Sequence, residues 1–135
     1  MASLLVIEDE PNIALVLELA LKDEGYQVTV APDGLAGLIM LQKNPKPDLV
    51  FLDLHLPYID GREIMEIIHC SPDLKHIPVI VITGSSTENL DLPDDQYTEL
   101  FEKPFDLFQI ISAANDLTAK NYGLRENKSL LSSNL

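Results

Sequence analysis

The run Leu4-Leu5-Val6-Ile7-Glu8-Asp9-Glu10-Pro11 passes from four consecutive apolar residues to three acids and a proline. An apolar run without alternation predicts a strand buried on both faces, as in a parallel sheet covered by helices. Pro11 suits the first turn of a helix, where its missing N–H costs nothing. Ile13, Val16, Leu17, Ala20 and Leu21 then supply one apolar face, and Gly25 ends the helix.

The same alternation continues along the chain. Val28 and Val30 mark a second strand, Pro32-Asp33-Gly34 a turn, and Leu35, Leu38, Ile39 and Leu41 a second helix that stops before Pro45. Leu49-Val50-Phe51-Leu52 forms a third strand ending on Asp53, and a loop through Pro57 and Asp60-Gly61 leads to a helix with Ile64, Met65, Ile67 and Ile68 inward. Val79-Ile80-Val81-Ile82 is a fourth strand ending on Thr83. The stretch from Gly84 to Thr98 is polar and acidic, contains Pro93, and offers only Leu90, Leu92 and Tyr97 as anchors, so no regular fourth helix is expected. A short strand near Leu100 and Phe101 runs into Lys103-Pro104. Asp106 then caps a last helix with Leu107, Ile110, Ile111, Ala114 and Leu117 inward. Residues 1–119 therefore read as one domain, and the Asn, Ser and Lys content of 120–135 as a flexible tail.

With 135 residues, 46% hydrophobic and 23% charged, the chain is an ordinary globular domain rather than a disordered or low-complexity one. Nine Lys and Arg against 22 Asp and Glu give a net charge of −13, which argues against direct nucleic-acid binding. Cys70 stands alone, so no internal disulfide forms, and no Cys/His pair has structural-zinc spacing. The start Met1-Ala2-Ser3 lacks a basic stretch, and Leu4 to Ile7 is too short for a signal or membrane segment, so a cytoplasmic location without membrane insertion is expected.

Five strands alternating with helices give a doubly wound α/β sheet, in which ligands bind at the carboxyl ends of the strands. Those ends carry Glu8 and Asp9, Asp53, Thr83 and Lys103. Carboxylates brought into one crevice repel, and a hard divalent cation such as Mg²⁺ resolves the conflict with oxygen ligands. A lysine and a hydroxyl opposite suit phosphate oxygens.

Val6-Ile7-Glu8-Asp9-Glu10-Pro11, Asp53-Leu54-His55-Leu56-Pro57 with Asp60-Gly61, Thr83-Gly84 and Lys103-Pro104-Phe105 together resemble the receiver domains of two-component response regulators, over residues 3 to 119. The resemblance implies a flavodoxin-like five-stranded parallel sheet in the order 2-1-3-4-5. It implies that Asp53 accepts a phosphoryl group from a histidine kinase or phosphotransfer protein. Asp9 would then hold Mg²⁺ directly, Glu8 through water, and Asp53 and the His55 main-chain carbonyl would be further ligands. Thr83 would bond a phosphoryl oxygen and Lys103 would pair with the phosphate, or with Asp53 before phosphorylation, with a cis Lys103–Pro104 bond. Such a protein is a phosphoacceptor that assists its own phosphorylation and dephosphorylation rather than an enzyme. With no output domain after Lys120, it is expected to act alone, through contacts with a downstream protein.

Each residue taken singly has a plainer explanation. Asp9 and Glu10 suit the start of a helix, Asp53 a turn, Thr83 a cap, and Lys103 a solvated charge. Jointly, at successive strand ends, those explanations fail. His55, His69 and His76 read as surface imidazoles, and Cys70 as a packing or surface thiol. Hydrolases of the haloacid-dehalogenase type place a second aspartate two residues after the nucleophile, where this chain has His55. A pseudo-receiver, an interaction module not regulated by phosphorylation, is the alternative, and it draws its support from the region 84–100. Receivers typically carry Tyr or Phe three residues before the lysine; here that place is Leu100, and Phe101 would point to the opposite face of its strand. Thr83 and Lys103 are only 20 residues apart, so residues 85–97 are expected to form a short or mobile element whose ordering reads out phosphorylation.

Overall fold

The computed structural model describes residues 2–84 and 91–119. Strand β1 (Ser3–Ile7) is followed by α1 (Pro11–Asp23), β2 (Gln27–Ala31), α2 (Gly34–Leu41), β3 (Leu49–Asp53), α3 (Gly61–Cys70), β4 (Val79–Thr83) and β5 (Glu99–Glu102). A C-terminal helix covers 107–119. All strand pairs are parallel, in the order β2-β1-β3-β4-β5 that the resemblance implies. The sheet thus reverses direction of growth beside β1 and β3, so that the ends of these two strands form the crevice.

Alternation along each inner strand builds two cores. Leu5, Ile7, Val50, Leu52, Val79 and Val81 face α2 and α3, meeting Leu41, Ile64, Met65 and Ile68. Leu4, Val6, Leu49, Phe51, Ile80 and Ile82 face the other way, against Leu17 and Leu21 of α1 and Ile110 and Ala114 of the C-terminal helix. Because both faces are covered, β3 and β4 are buried at every residue, which is why they read as unbroken apolar runs. The edge strands β2 and β5 instead present exposed Gln27, Thr29, Glu99 and Glu102. Phe101 packs against the α1 side and Leu100 against the α2/α3 side, the opposition expected of neighbouring strand residues.

The helices follow their punctuation. Asp33 and Asp60 accept hydrogen bonds from the N–H groups of Ala36 and Arg62, each at 2.8 Å, and Asp106 accepts from Phe108 at 2.9 Å. One helix face differs from the sequence reading: Val16 is exposed with Leu15 and Leu19, and α1 buries Ala14, Leu17 and Leu21. Ala14 shares the inward face with Leu17 and Leu21, and Val16, two residues after Ala14, falls on the opposite side of the helix. On α2 the buried face runs through Gly34, Gly37 and Leu41, leaving Leu35 and Ile39 exposed. A Cβ on Gly37 would lie 2.7 Å from Ile7 Cδ1, so this face of the helix sits close over β1.

Residues 91–98 contain turns and bends but no helix. Leu92 and Tyr97 pack against the α2/α3 core, Thr98 donates its N–H to the Val79 carbonyl at 2.8 Å, and His69 Nε2 lies 3.4 Å from an Asp95 carboxylate oxygen. The remainder of the segment expected to be short or mobile, 85–90, and the tail expected from 120 onward lie outside the described residues. Among the described residues no helix is long and apolar enough to cross a membrane.

Gly61 ties this fold to the end of β3. Its N–H donates to Leu54 O at 2.9 Å, and a Cβ there would stand 2.2 Å from Asp53 O and 2.6 Å from Leu54 Cα. Backbone cannot swing aside as a side chain can. Gly61→Ala should therefore destabilise the protein by about 1–3 kcal/mol, measured by urea denaturation; an unchanged midpoint would show that the loop yields freely.

Candidate functional site

Parallel register brings the strand ends together. Ile7 pairs with Leu52, so Glu8 follows beside Asp53, and Asp53 pairs with Ile82, just before Thr83. Thr83 pairs with Glu102, and its carbonyl accepts the Lys103 N–H at 2.8 Å. From that edge the Lys103 side chain reaches inward across β4 to the crevice. The Lys103–Pro104 bond is cis, as expected.

Lys103 Nζ lies 2.7 Å from Glu8 Oε1, 3.1 Å from Asp53 Oδ2 and 3.2 Å from Glu10 Oε1. Asp53 Oδ1 accepts the His55 N–H at 3.0 Å, so both oxygens of this buried carboxylate are held. Glu8 is also buried; its Oε1 contacts the ammonium without a directed hydrogen bond. Carboxylate oxygens of Glu8, Glu10 and Asp53 all lie within 4.8 Å of one another.

Three acids around one lysine leave negative charge uncompensated, and the site divides it unequally. Burial, reinforced by the neighbouring Asp53, pushes the Glu8 carboxyl up from 4.5 to about 8. Burial also opposes ionisation of Asp53, but the hydrogen bond from Glu8, the His55 N–H and Lys103 together hold its carboxyl below the usual value. Burial disfavours the Lys103 charge, yet Glu8 and Asp53 outweigh it and hold the ammonium protonated well above its ordinary range. Glu8 thus keeps its proton while Asp53 stays ionised.

Of the residues expected at the site, the structure brings Glu8, Asp53 and Lys103 into contact. Thr83 is buried at the adjoining strand end, and the exposed His55 imidazole leaves its backbone to serve Asp53. Asp9 is half-buried and does not belong to the three-carboxylate group. Glu10 enters that group, although the sequence pattern assigned it only to helix capping. Its position is the cap of α1, but its side chain makes no cap hydrogen bond. The available signal was the residue type: the longer glutamate is not among the side chains favoured at a helix cap.

The donors suit a hard divalent cation: all are oxygens, and the buried Glu8 Oε1 lacks a directed hydrogen bond. A doubly wound sheet with an acid crevice and a converging lysine at its switch point is the architecture of a signal-receiving module. Residues 4–115 match the response regulator receiver domain family, and the chain belongs to it. Response regulator Rcp1 of Synechocystis is 37% identical over 94 residues, 64% of each protein. Response regulator ArlR of Staphylococcus epidermidis is 38% identical over 117 residues, which cover 83% of this chain but only 50% of that one. Among solved structures, TrrA of Thermotoga maritima in complex with Mg²⁺ and BeF superposes with a TM-score of 0.77 at 31% identity, over 87% of this chain and 99% of that one.

The raised Glu8 carboxyl sets a pH dependence. The unfolded chain releases this proton near 4.5 and the folded one only near 8, so stability falls across that interval and the full cost remains above it. Without divalent cation, Glu8→Gln should stabilise the protein by on the order of 2–5 kcal/mol in the alkaline limit. The gain should vanish below pH 4.5, where the parent carboxyl is neutral in both states. Thermal unfolding across pH measures it, and a pH-independent gain would contradict the assignment.

Proposed function

We propose that Asp53 is the phosphoacceptor of a Mg²⁺-dependent phosphotransfer, receiving its phosphoryl group from a histidine kinase or a phosphotransfer protein. The observation that carries this reading is the Lys103 ammonium set 3.1 Å from Asp53 Oδ2 while backbone holds Oδ1. Asp53, kept ionised, is a competent nucleophile at neutral pH. Its oxygen forms a bond to phosphorus as the phosphorus–nitrogen bond of the donor imidazole breaks, and the released imidazole takes a proton from solvent.

Glu8 and Asp9, with Asp53 and the main-chain carbonyl of His55, would hold Mg²⁺, which neutralises phosphoryl oxygens when bound. Lys103 then exchanges a carboxylate for a phosphoryl oxygen, and the Thr83 hydroxyl takes another. Positioning and charge neutralisation are the main requirements of a loose phosphoryl transition state. The Mg²⁺–BeF complex of TrrA supports the same reading here, given the shared fold. Output passes through contacts with a downstream protein, and Leu100, packed with Leu92 and Tyr97 on the α2/α3 side, stands where an aromatic ring usually turns.

Acetyl phosphate with Mg²⁺ should add one phosphoryl group, lost in Asp53→Asn and absent in EDTA. Lys103→Ala should slow labelling about a hundredfold. Peptide mapping by mass spectrometry reads the modified residue; label elsewhere in Asp53→Asn would refute the assignment. Calorimetric titration of Mg²⁺ should show Asp9→Ala weakening binding more than Glu8→Ala, because a direct ligand contributes more than one acting through water. The reverse order would exchange their roles.

A further inference from the structure

We propose that Glu10 sets the balance of the Asp53 site, strengthening attraction for a divalent cation while restraining Lys103 from an incoming phosphoryl group. The second half of this proposal rests on the phosphotransfer function; the first does not. Glu10 sits at the cap of α1 yet caps nothing. Its Oε1 instead lies 3.2 Å from Lys103 Nζ, and its carboxylate shares the 4.8 Å group with Glu8 and Asp53. Within that group Glu8 Oε1, on a residue only 3% exposed, meets Lys103 Nζ at 2.7 Å but makes no directed hydrogen bond among the described residues, which leaves a buried oxygen able to take a cation.

The three partners of Lys103 differ in how readily they let it go. Glu8 and Asp53 side chains are 2% and 3% exposed, whereas Glu10 is 58% exposed, so only Glu10 can recover hydration when the ammonium leaves. A phosphoryl group arrives carrying negative charge, and the lysine must turn towards it. Glu10 therefore acts with opposite sign on two events. Its charge adds to the field drawing a cation, and the same charge competes for Lys103 and repels an anionic donor. Its exposure limits each effect, as for other exposed ion pairs, to about two- to fivefold.

Glu10→Gln removes the charge at nearly constant shape, and Glu66→Gln, exposed on α3, controls for the change in net charge alone. Calorimetry with MgCl₂ should show binding weakened about two- to fivefold in Glu10→Gln. Labelling by acetyl phosphate at saturating Mg²⁺ should run faster by a similar factor, about two- to fivefold. Glu66→Gln should change neither. Unchanged Mg²⁺ affinity in Glu10→Gln overturns the proposal whatever the labelling does. Slower or unchanged labelling also overturns it if the parent is labelled at Asp53, as does an equal response from Glu66→Gln. If the parent takes no label, the phosphotransfer reading falls, while weakened Mg²⁺ binding in Glu10→Gln still upholds its part in cation attraction.

Discussion

One ammonium group gathers three acidic side chains at the strand ends. Lys103 Nζ reaches Glu8, Asp53 and Glu10 at 2.7, 3.1 and 3.2 Å, and two of those acids are buried where an unpaired charge would be costly. Burial, with Asp53 beside it, outweighs the lysine at Glu8, which retains its proton. The charge state of each group at such a site depends on its neighbours.

The surrounding fold exists at the accuracy this contact demands. Lys103 is delivered from the sheet edge by a backbone hydrogen bond to Thr83, while Asp53 is fixed from behind by the His55 N–H and the close approach of Gly61. Side chains on either of those approaches would move the carboxylate relative to the lysine. Packing around Gly37 and Ile7 does the same for β1, and hence for Glu8. The two cores on opposite sides of the sheet thus set the depth and direction of one short row of polar groups.

Much of this was legible in the residues. The runs at Leu4–Ile7, Leu49–Leu52 and Val79–Ile82 announced strands covered on both faces, and the polar residue ending each run marked the crevice. Helix faces were less legible where the helix is apolar all round: in α2 nothing in Leu35, Leu38 and Ile39 says which of them faces water, because the buried face is chosen by glycine contacts made at a distance in sequence. Val16 was misread for a related reason, since periodicity alone does not show that the inward face runs through Ala14, Leu17 and Leu21. Glu10 was hidden by a stronger local explanation; its involvement depends on Lys103, 93 residues away, and no local pattern records that contact.

The last described strand has a further consequence for the protein in a crowded cell. β5 ends the sheet and is only four residues long, with Glu99 and Glu102 exposed at its two ends. A second copy attempting to add its own β5 in register would set like charges against one another, which disfavours continuation of the sheet between molecules. Among the described residues that edge is guarded by charge at both of its ends.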